Sequence, residues 1–363
     1  MTGLRWQLAD EPRPQQTLFD EPIFERQPGR GEFRGLEFLH VRAQRIINEV
    51  KGAPFGFRYT VNPYRGCTHA CTYCFARPSH TYLDLDADRD FERRIVVKVN
   101  AVSRLRAELD PRRWRGDLIA MGTNTDPYQR AEGKYRLTRG IVEVLIERAN
   151  PFSILTKSTL VLRDLDLLVE AARRTTVRVN LSIGTLDEDV WRATEPGTPH
   201  PRRRVRAIEQ LNEAGVPCGV LVAPVLPGLS DAPEQLEAVV EACVAAGARS
   251  ISTVLLHLRP GVDAVFLDRL AETHPHLVAD YRRRYRDRAY LPAAEQRAHE
   301  ALVRDLARRH GVRAVERTDA EHMTGRPARP EQRVEVPRRR RTAHPEPTAV
   351  PAAQEDATQL SLL

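Results

Sequence analysis

Short apolar stretches alternate with longer amphipathic ones through the middle of the chain. Apolar runs at 57–61, 117–121, 152–155, 177–183, 218–223 and 250–255 have the length and side-chain type of strands. Between them, apolar positions recur at helical spacing over about 93–109, 138–149, 162–173, 201–214 and 233–246, so that each helix fills one crossover. Gly215 and Gly247 stand just past two of these patterns, where a helix C-terminus favours a residue tolerant of positive φ. Six βα units in series predict a parallel sheet with right-handed crossovers. Pattern alone leaves open whether that sheet is doubly wound or an incomplete barrel. Helical patterns at about 264–272, 277–288 and 293–310 then predict a small C-terminal helical cap, with 312–315 a further strand candidate.

The two ends read differently. Residues 1–35 are polar and carry several prolines, and residues 318–363 are rich in proline, arginine and glutamate with little apolar periodicity. Both are expected to be disordered. The expected division is a flexible arm over 1–35, an α/β unit over 36–258, a C-terminal helical region over 259–317 and a disordered tail over 318–363. With 56 Lys plus Arg against 49 Asp plus Glu, the net charge of +7 is compatible with polyanion binding. Arg202, Arg203, Arg204 and Arg206 read as the solvated face of a helix, and Arg338 to Arg341 lie in the tail. Three of the five cysteines cluster while Cys218 and Cys243 stand apart, a poor disulfide framework that suits a reducing, cytoplasmic setting. No apolar leader opens the sequence and no eighteen apolar residues run together, so neither export nor a membrane span is expected.

The chemistry concentrates in RGCTHACTYCFARPSH, where Cys67, Cys71 and Cys74 stand at C-x3-C-x2-C spacing directly after the first strand. In parallel α/β folds, loops at the carboxyl ends of strands build the active site. Thiols at this density imply a metal. A structural zinc needs a fourth ligand, which His69 or His80 supplies in a Cys3His site, making a non-catalytic zinc-binding adaptor one reading. Three thiols on one loop also suit three corners of a [4Fe-4S] cube whose fourth iron stays open to a small molecule.

The same motif, with Tyr73 before the last cysteine, resembles the signature of the radical S-adenosyl-L-methionine (radical SAM) superfamily over roughly residues 50–256. The resemblance implies a partial (β/α)6 TIM-like barrel, in agreement with the six βα units. It also implies that Cys67, Cys71 and Cys74 hold a [4Fe-4S] cluster whose open iron chelates S-adenosylmethionine. One electron from a reductant such as flavodoxin or ferredoxin then yields methionine and a 5′-deoxyadenosyl radical, which abstracts hydrogen from a substrate. The cofactor-binding positions it implies are Tyr73, then Thr123, Asn124, Thr125 and Asp126 after the second strand, Lys157 after the third and Ser182 on the fourth. Asn180 shares the Ser182 face of its strand. Pro224 and Pro227 fall in a segment similar to the family's adenine-contacting loop, and His257 with Arg259 lies at the mouth of the sixth strand.

GCTHACTYCFAR together with TNTDPYQ and ILTKS is most similar to the spore photolyase-like branch, whose named member repairs a thymine dimer in DNA. A nucleic acid is therefore the implied substrate. That member's hydrogen-donating cysteine aligns with Thr123, and the tyrosine after its last cluster cysteine aligns with Phe75, so the same lesion reaction is not expected here. A protein or small molecule is the alternative substrate. Gln15-Gln16-Thr17-Leu18-Phe19 and Gln359-Leu360-Ser361-Leu362-Leu363 resemble the pentapeptides by which bacterial repair proteins dock on the sliding clamp.

Overall fold

A computed structural model describes residues 19–50 and 57–314. Its strands are β1 (Phe19–Pro28), β2 (Glu37–Ala43), β3 (Ile47–Glu49), β4 (Tyr59–Val61), β5 (Tyr64–Arg65), β6 (Arg94–Lys98), β7 (Ile119–Met121), β8 (Phe152–Thr156), β9 (Val177–Ser182), β10 (Cys218–Val225) and β11 (Ile251–Leu255). One sheet runs in the order β11-β10-β9-β8-β7-β4-β3. From β4 through β7 to β11 every neighbouring pair is parallel, and β3 closes the edge antiparallel to β4. A doubly wound sheet reverses its strand order at a switch point. This one does not reverse, so the sequence of βα units follows a partial barrel.

Burial along the strands shows which face is which. Ile154, Val179, Val220 and Ile251 are buried in the main core, whereas their alternating neighbours Leu155, Asn180, Leu221 and Ser252 are only half-buried. Helices Leu137–Glu147, Leu165–Arg174, Pro201–Glu213 and Pro233–Ala245 supply the buried side of that core. The opposite, concave face stays open.

Two expectations are corrected. The arm expected over 1–35 is a strand from Phe19, since β1 pairs antiparallel with β2. Its polar composition hid it, because it is an edge strand bonded on one side and carries Pro28. The single helix expected over 93–109 is instead a short helix, Arg89–Arg93, then β6, then Ala101–Glu108. Val96 packs against Leu39 and Val41 while Ile95 and Val97 pack against Phe38 and Tyr64. With both faces buried, β6 shows no alternation. These strands form a second sheet in the order β1-β2-β6-β5. It joins the barrel through His40, whose ring lies 2.7 Å from both Glu25 and the Tyr135 hydroxyl.

The C-terminal helices divide. Asp263–Thr273 and Val278–Arg284 bury Phe266, Leu270 and Tyr281 against Leu226, Leu256, Cys71 and Tyr73, above the strand ends. Ala293–Arg309 instead places Val303, Leu306 and Ala307 in the main core and so walls the barrel beside β11. The strand expected at 312–315 reduces to one parallel bridge, Ala314 to Ile251, with residue 315 outside the described residues. Among the described residues no helix is long and apolar enough to cross a membrane.

Candidate functional site

The three clustered cysteines follow β4 and β5 on a loop at the carboxyl end of the barrel, and all are free thiols. Cys67 and Cys71 are buried and Cys74 is half-buried. The loop is held at its backbone. The Cys67 amide donates to the Phe91 carbonyl (2.9 Å), and Thr72 donates to Thr194 (3.0 Å). Arg77, fully buried, donates to the Cys71 carbonyl from Nε (3.0 Å) and Nη2 (2.9 Å) and pairs with Glu92 at 2.5 Å. A guanidinium presents several fixed donors, which suits it to fixing a loop by its carbonyl oxygens.

Gly197 closes the other side. Its amide donates to the His69 carbonyl (3.0 Å), and a Cβ there would sit 2.2 Å from the Thr68 carbonyl oxygen and 2.8 Å from that of His69. These are backbone atoms, so the loop itself would have to move. Gly197→Ala is expected to cost about 1–3 kcal/mol and to lower iron retention, measured as iron per chain after anaerobic reconstitution. Unchanged iron content and melting midpoint would show that the loop yields freely.

The TNTDPYQ segment after β7 clamps the cysteine loop. The Thr125 hydroxyl donates to the Gly66 carbonyl (2.6 Å), as does the Gln129 amide nitrogen (2.8 Å), while Gln129 Oε1 accepts from the Thr68 amide (3.1 Å). Asp126 accepts from the Thr156 hydroxyl (2.7 Å) and the Lys157 amide (2.7 Å), and its Oδ2 lies 3.3 Å from His69 Nδ1. Burial alone would raise its pKa, but the His69 charge and these hydrogen bonds hold it below the ordinary value. Thr125 and Asp126 thus tie the cysteine loop and the end of β8 together. Thr123 and Asn124 stay half-buried at the rim, where Asn62 meets the Thr123 hydroxyl (3.2 Å) and the Asn124 amide (3.3 Å). Gly122 makes this turn possible: its φ is +91°, and a Cβ would lie 1.9 Å from the Leu155 carbonyl oxygen.

Lys157 and Ser182 meet across the strand ends. Lys157 Nζ donates to the Ser182 hydroxyl (2.8 Å), the Ala223 carbonyl (3.1 Å) and Glu195 Oε1 (2.9 Å), and it stands 5.6 Å from the centre of the Tyr73 ring. Glu195 joins four groups. Besides Lys157 it accepts from the Tyr73 hydroxyl and, at 2.5 Å, from Arg204 Nη2, with the Thr198 hydroxyl at 3.4 Å. Burial would raise the Glu195 pKa, but Arg204 and Lys157 together hold it well below the usual carboxylate range. Burial and the Glu195 charge push the Tyr73 hydroxyl far above its ordinary value.

Neither Glu195 nor Arg204 is among the site residues expected from the sequence. Arg204, expected on a solvated face, is fully buried and also donates to the Ser182 and Pro199 carbonyls (2.9 Å each). The signal was present in the spacing, because Pro201, Arg204, Ala207, Ile208 and Leu211 form the buried face of their helix. Arg202, Arg203 and Arg206 are exposed, as expected.

The histidines proposed for a Cys3His zinc site have other partners. His80 Nε2 donates to the Arg94 carbonyl (2.9 Å) and its ring packs edge-on to Phe91, while His69 faces Asp126. Among the described residues no three His, Cys, Asp or Glu side chains converge on a single ion. A cubic cluster instead spreads its thiolates over separate irons. Burial pushes all three thiols up, Cys71 to about 12 with the Glu195 charge adding to it, so metal loading must displace their protons. A cavity of about 440 Å³ opens on the outer flank of the loop between His69, Arg130, Arg163 and Thr198, and neither Lys157 nor Tyr73 lines it.

Residues 61–255 match the model of the radical SAM superfamily. The chain belongs to that superfamily. An uncharacterized protein of Mycobacterium tuberculosis strain H37Rv is 47% identical over 262 residues, covering 72% of this chain and 77% of the relative. One from Methanocaldococcus jannaschii is 32% identical over 196 residues, 54% of this chain and 70% of the relative. Among solved structures, spore photoproduct lyase complexed with dinucleoside spore photoproduct has a similar fold, with a TM-score of 0.56 and 18% identity over 76% of this chain and 80% of that one. The chain is thus a radical SAM enzyme with a partial-barrel fold, and membership implies S-adenosylmethionine and an iron-sulfur cluster.

Proposed function

We propose that this radical SAM enzyme holds a [4Fe-4S] cluster on Cys67, Cys71 and Cys74 and uses it to act on a nucleic acid. The observation that carries this reading is the donor set: three free thiols on one loop, its backbone held by neighbouring segments, with the Tyr73-Glu195-Lys157 network alongside. Cys67, Cys71 and Cys74 would hold the cluster, which when bound would supply the one-electron reduction that turns S-adenosylmethionine into a hydrogen-abstracting reagent. The electron comes from a reductant such as flavodoxin or ferredoxin.

The chain's own residues orient and hold. Lys157 would meet the methionine carboxylate in exchange for one of its three acceptors, with Arg204 still paired to Glu195. Ser182, Thr123 and Asn124 present their polar atoms to the cofactor from the strand ends. Tyr73, Thr125 and Asp126 position the thiol loop.

The nucleic-acid substrate is supported by the fold shared with spore photoproduct lyase, a protein seen with a dinucleoside lesion, and by the net charge of +7. Phe75 and Thr123 stand where that branch carries hydrogen-transferring side chains, and neither gives up a hydrogen atom readily, so the reaction proposed is repair or modification other than that of spore photoproduct. Docking on a sliding clamp rests on the two terminal pentapeptides, which fall outside the described residues except for Phe19, the first residue of β1. Supplying uniformly deuterated DNA to the reduced, reconstituted enzyme is expected to place deuterium in 5′-deoxyadenosine. Unlabelled product across damaged and undamaged DNA pools would rule DNA out as the hydrogen source.

A further inference from the structure

Five of the described large hydrophobic side chains are exposed, and two of them, Phe75 at 36% and Tyr290 at 46%, belong to one aromatic ladder at the mouth of the barrel. His257, just past β11, lies between them. Its ring centre is 5.8 Å from that of Phe75 at 40° and 5.2 Å from that of Tyr290 at 22°. Arg259 Nη2 donates to the Tyr290 hydroxyl at 3.1 Å, which sets a positive charge at the outer end.

The ladder is built on fixed backbone. His257 and Tyr290 form an antiparallel bridge, and the Leu258 amide donates to the Ala289 carbonyl at 2.8 Å. The Tyr285 hydroxyl donates to the Leu256 carbonyl, also at 2.8 Å. Leu256, Leu258 and Leu291 are buried beneath, so alternation turns His257 and Arg259 toward the mouth. Phe75 directly follows Cys74 and brings the inner rung beside the thiol loop.

We propose that Phe75, His257 and Tyr290 form a stacking platform for an unpaired nucleobase, with Arg259 meeting its phosphate. This rests on the nucleic-acid reading above and adds to it the state of the substrate. Exposed aromatic faces cost free energy in water and are retained where a planar partner covers them. A base inside a duplex has both faces occupied by its neighbours, so only a single-stranded or extrahelical base can lie on such a platform. Aromatic stacking with an adjacent cation is the sequence-tolerant mode of single-strand recognition.

The test is binding of an oligonucleotide carrying 2-aminopurine, as single strand and as perfect duplex, to the reconstituted full chain. The wild type is expected to bind the single strand more tightly than the duplex and to quench the probe. Tyr290→Leu is expected to weaken single-strand binding about 5- to 150-fold, while Tyr290→Phe retains it. Quenching in the wild type stands as a readout independent of how the leucine variant folds. Tight single-strand binding without quenching, or unchanged in folded Tyr290→Leu, would overturn the platform and leave the nucleic-acid substrate standing. If neither strand form binds the wild type, the substrate reading fails first and the platform with it.

Discussion

Replacing Glu195 with alanine is expected to destabilise the chain by about 3–5 kcal/mol, the range for removing one partner of a buried ion pair. Glu195 is 3% exposed and stands between two cations, Lys157 at 2.9 Å and Arg204 at 2.5 Å. Without it the fully buried Arg204 and the half-buried Lys157 have no carboxylate, and the buried Tyr73 hydroxyl loses its acceptor. The same group sets a pH dependence. Its folded pKa lies below the ordinary glutamate value of 4.5, so between the two values the unfolded chain binds the extra proton. Its contribution is therefore complete above pH 4.5 and is lost as pH falls below that toward the folded value. Urea midpoints measured downward from neutral pH should fall more steeply for the wild type than for Glu195→Gln. A loss under about 1 kcal/mol for Glu195→Ala, with the same acid slope in both chains, would mean that the network is no stronger than a surface pair.

The barrel was legible because β8, β9 and β11 alternate between buried and half-buried positions, and the crossovers after β8 and β9 carry the strongly amphipathic helices Leu165–Arg174 and Pro201–Glu213. Its closure was not, since incomplete barrels and doubly wound sheets share one local pattern and differ only in strand order. The second sheet was hidden by opposite causes: β1 is polar at an edge, and β6 is apolar on both faces. At the site, spacing sufficed to group the three cysteines, all carried by one loop. Glu195 was invisible because TEPGTP reads as a turn and its partners, Tyr73, Lys157 and Arg204, come from three separate segments. The roles of Thr125 and Asp126 were not legible either. Their side chains suit ligand binding and loop anchoring equally, and their hydrogen bonds to Gly66, Thr156 and the Lys157 amide join segments far apart in sequence.

The largest effect is expected at the thiols. Reconstituted wild-type chain should hold about four iron and four sulfide, and Cys71→Ala should lose most of both. Cys71 is the middle cysteine of the loop, the one whose carbonyl Arg77 grips and whose thiol packs with Tyr73 against the helices above. Truncating it removes a corner that no nearby side chain replaces: His69 faces Asp126, and Cys218 and Cys243 are buried in the main core. Cys218→Ala and Cys243→Ala should keep their iron. The most direct measurement is 5′-deoxyadenosine formed from S-adenosylmethionine by the reduced, reconstituted protein. Product from the wild type, abolished in Cys71→Ala, is the predicted result. Product of equal yield from both, or none from a wild type carrying its full iron and sulfide, would contradict a three-cysteine cluster that cleaves S-adenosylmethionine.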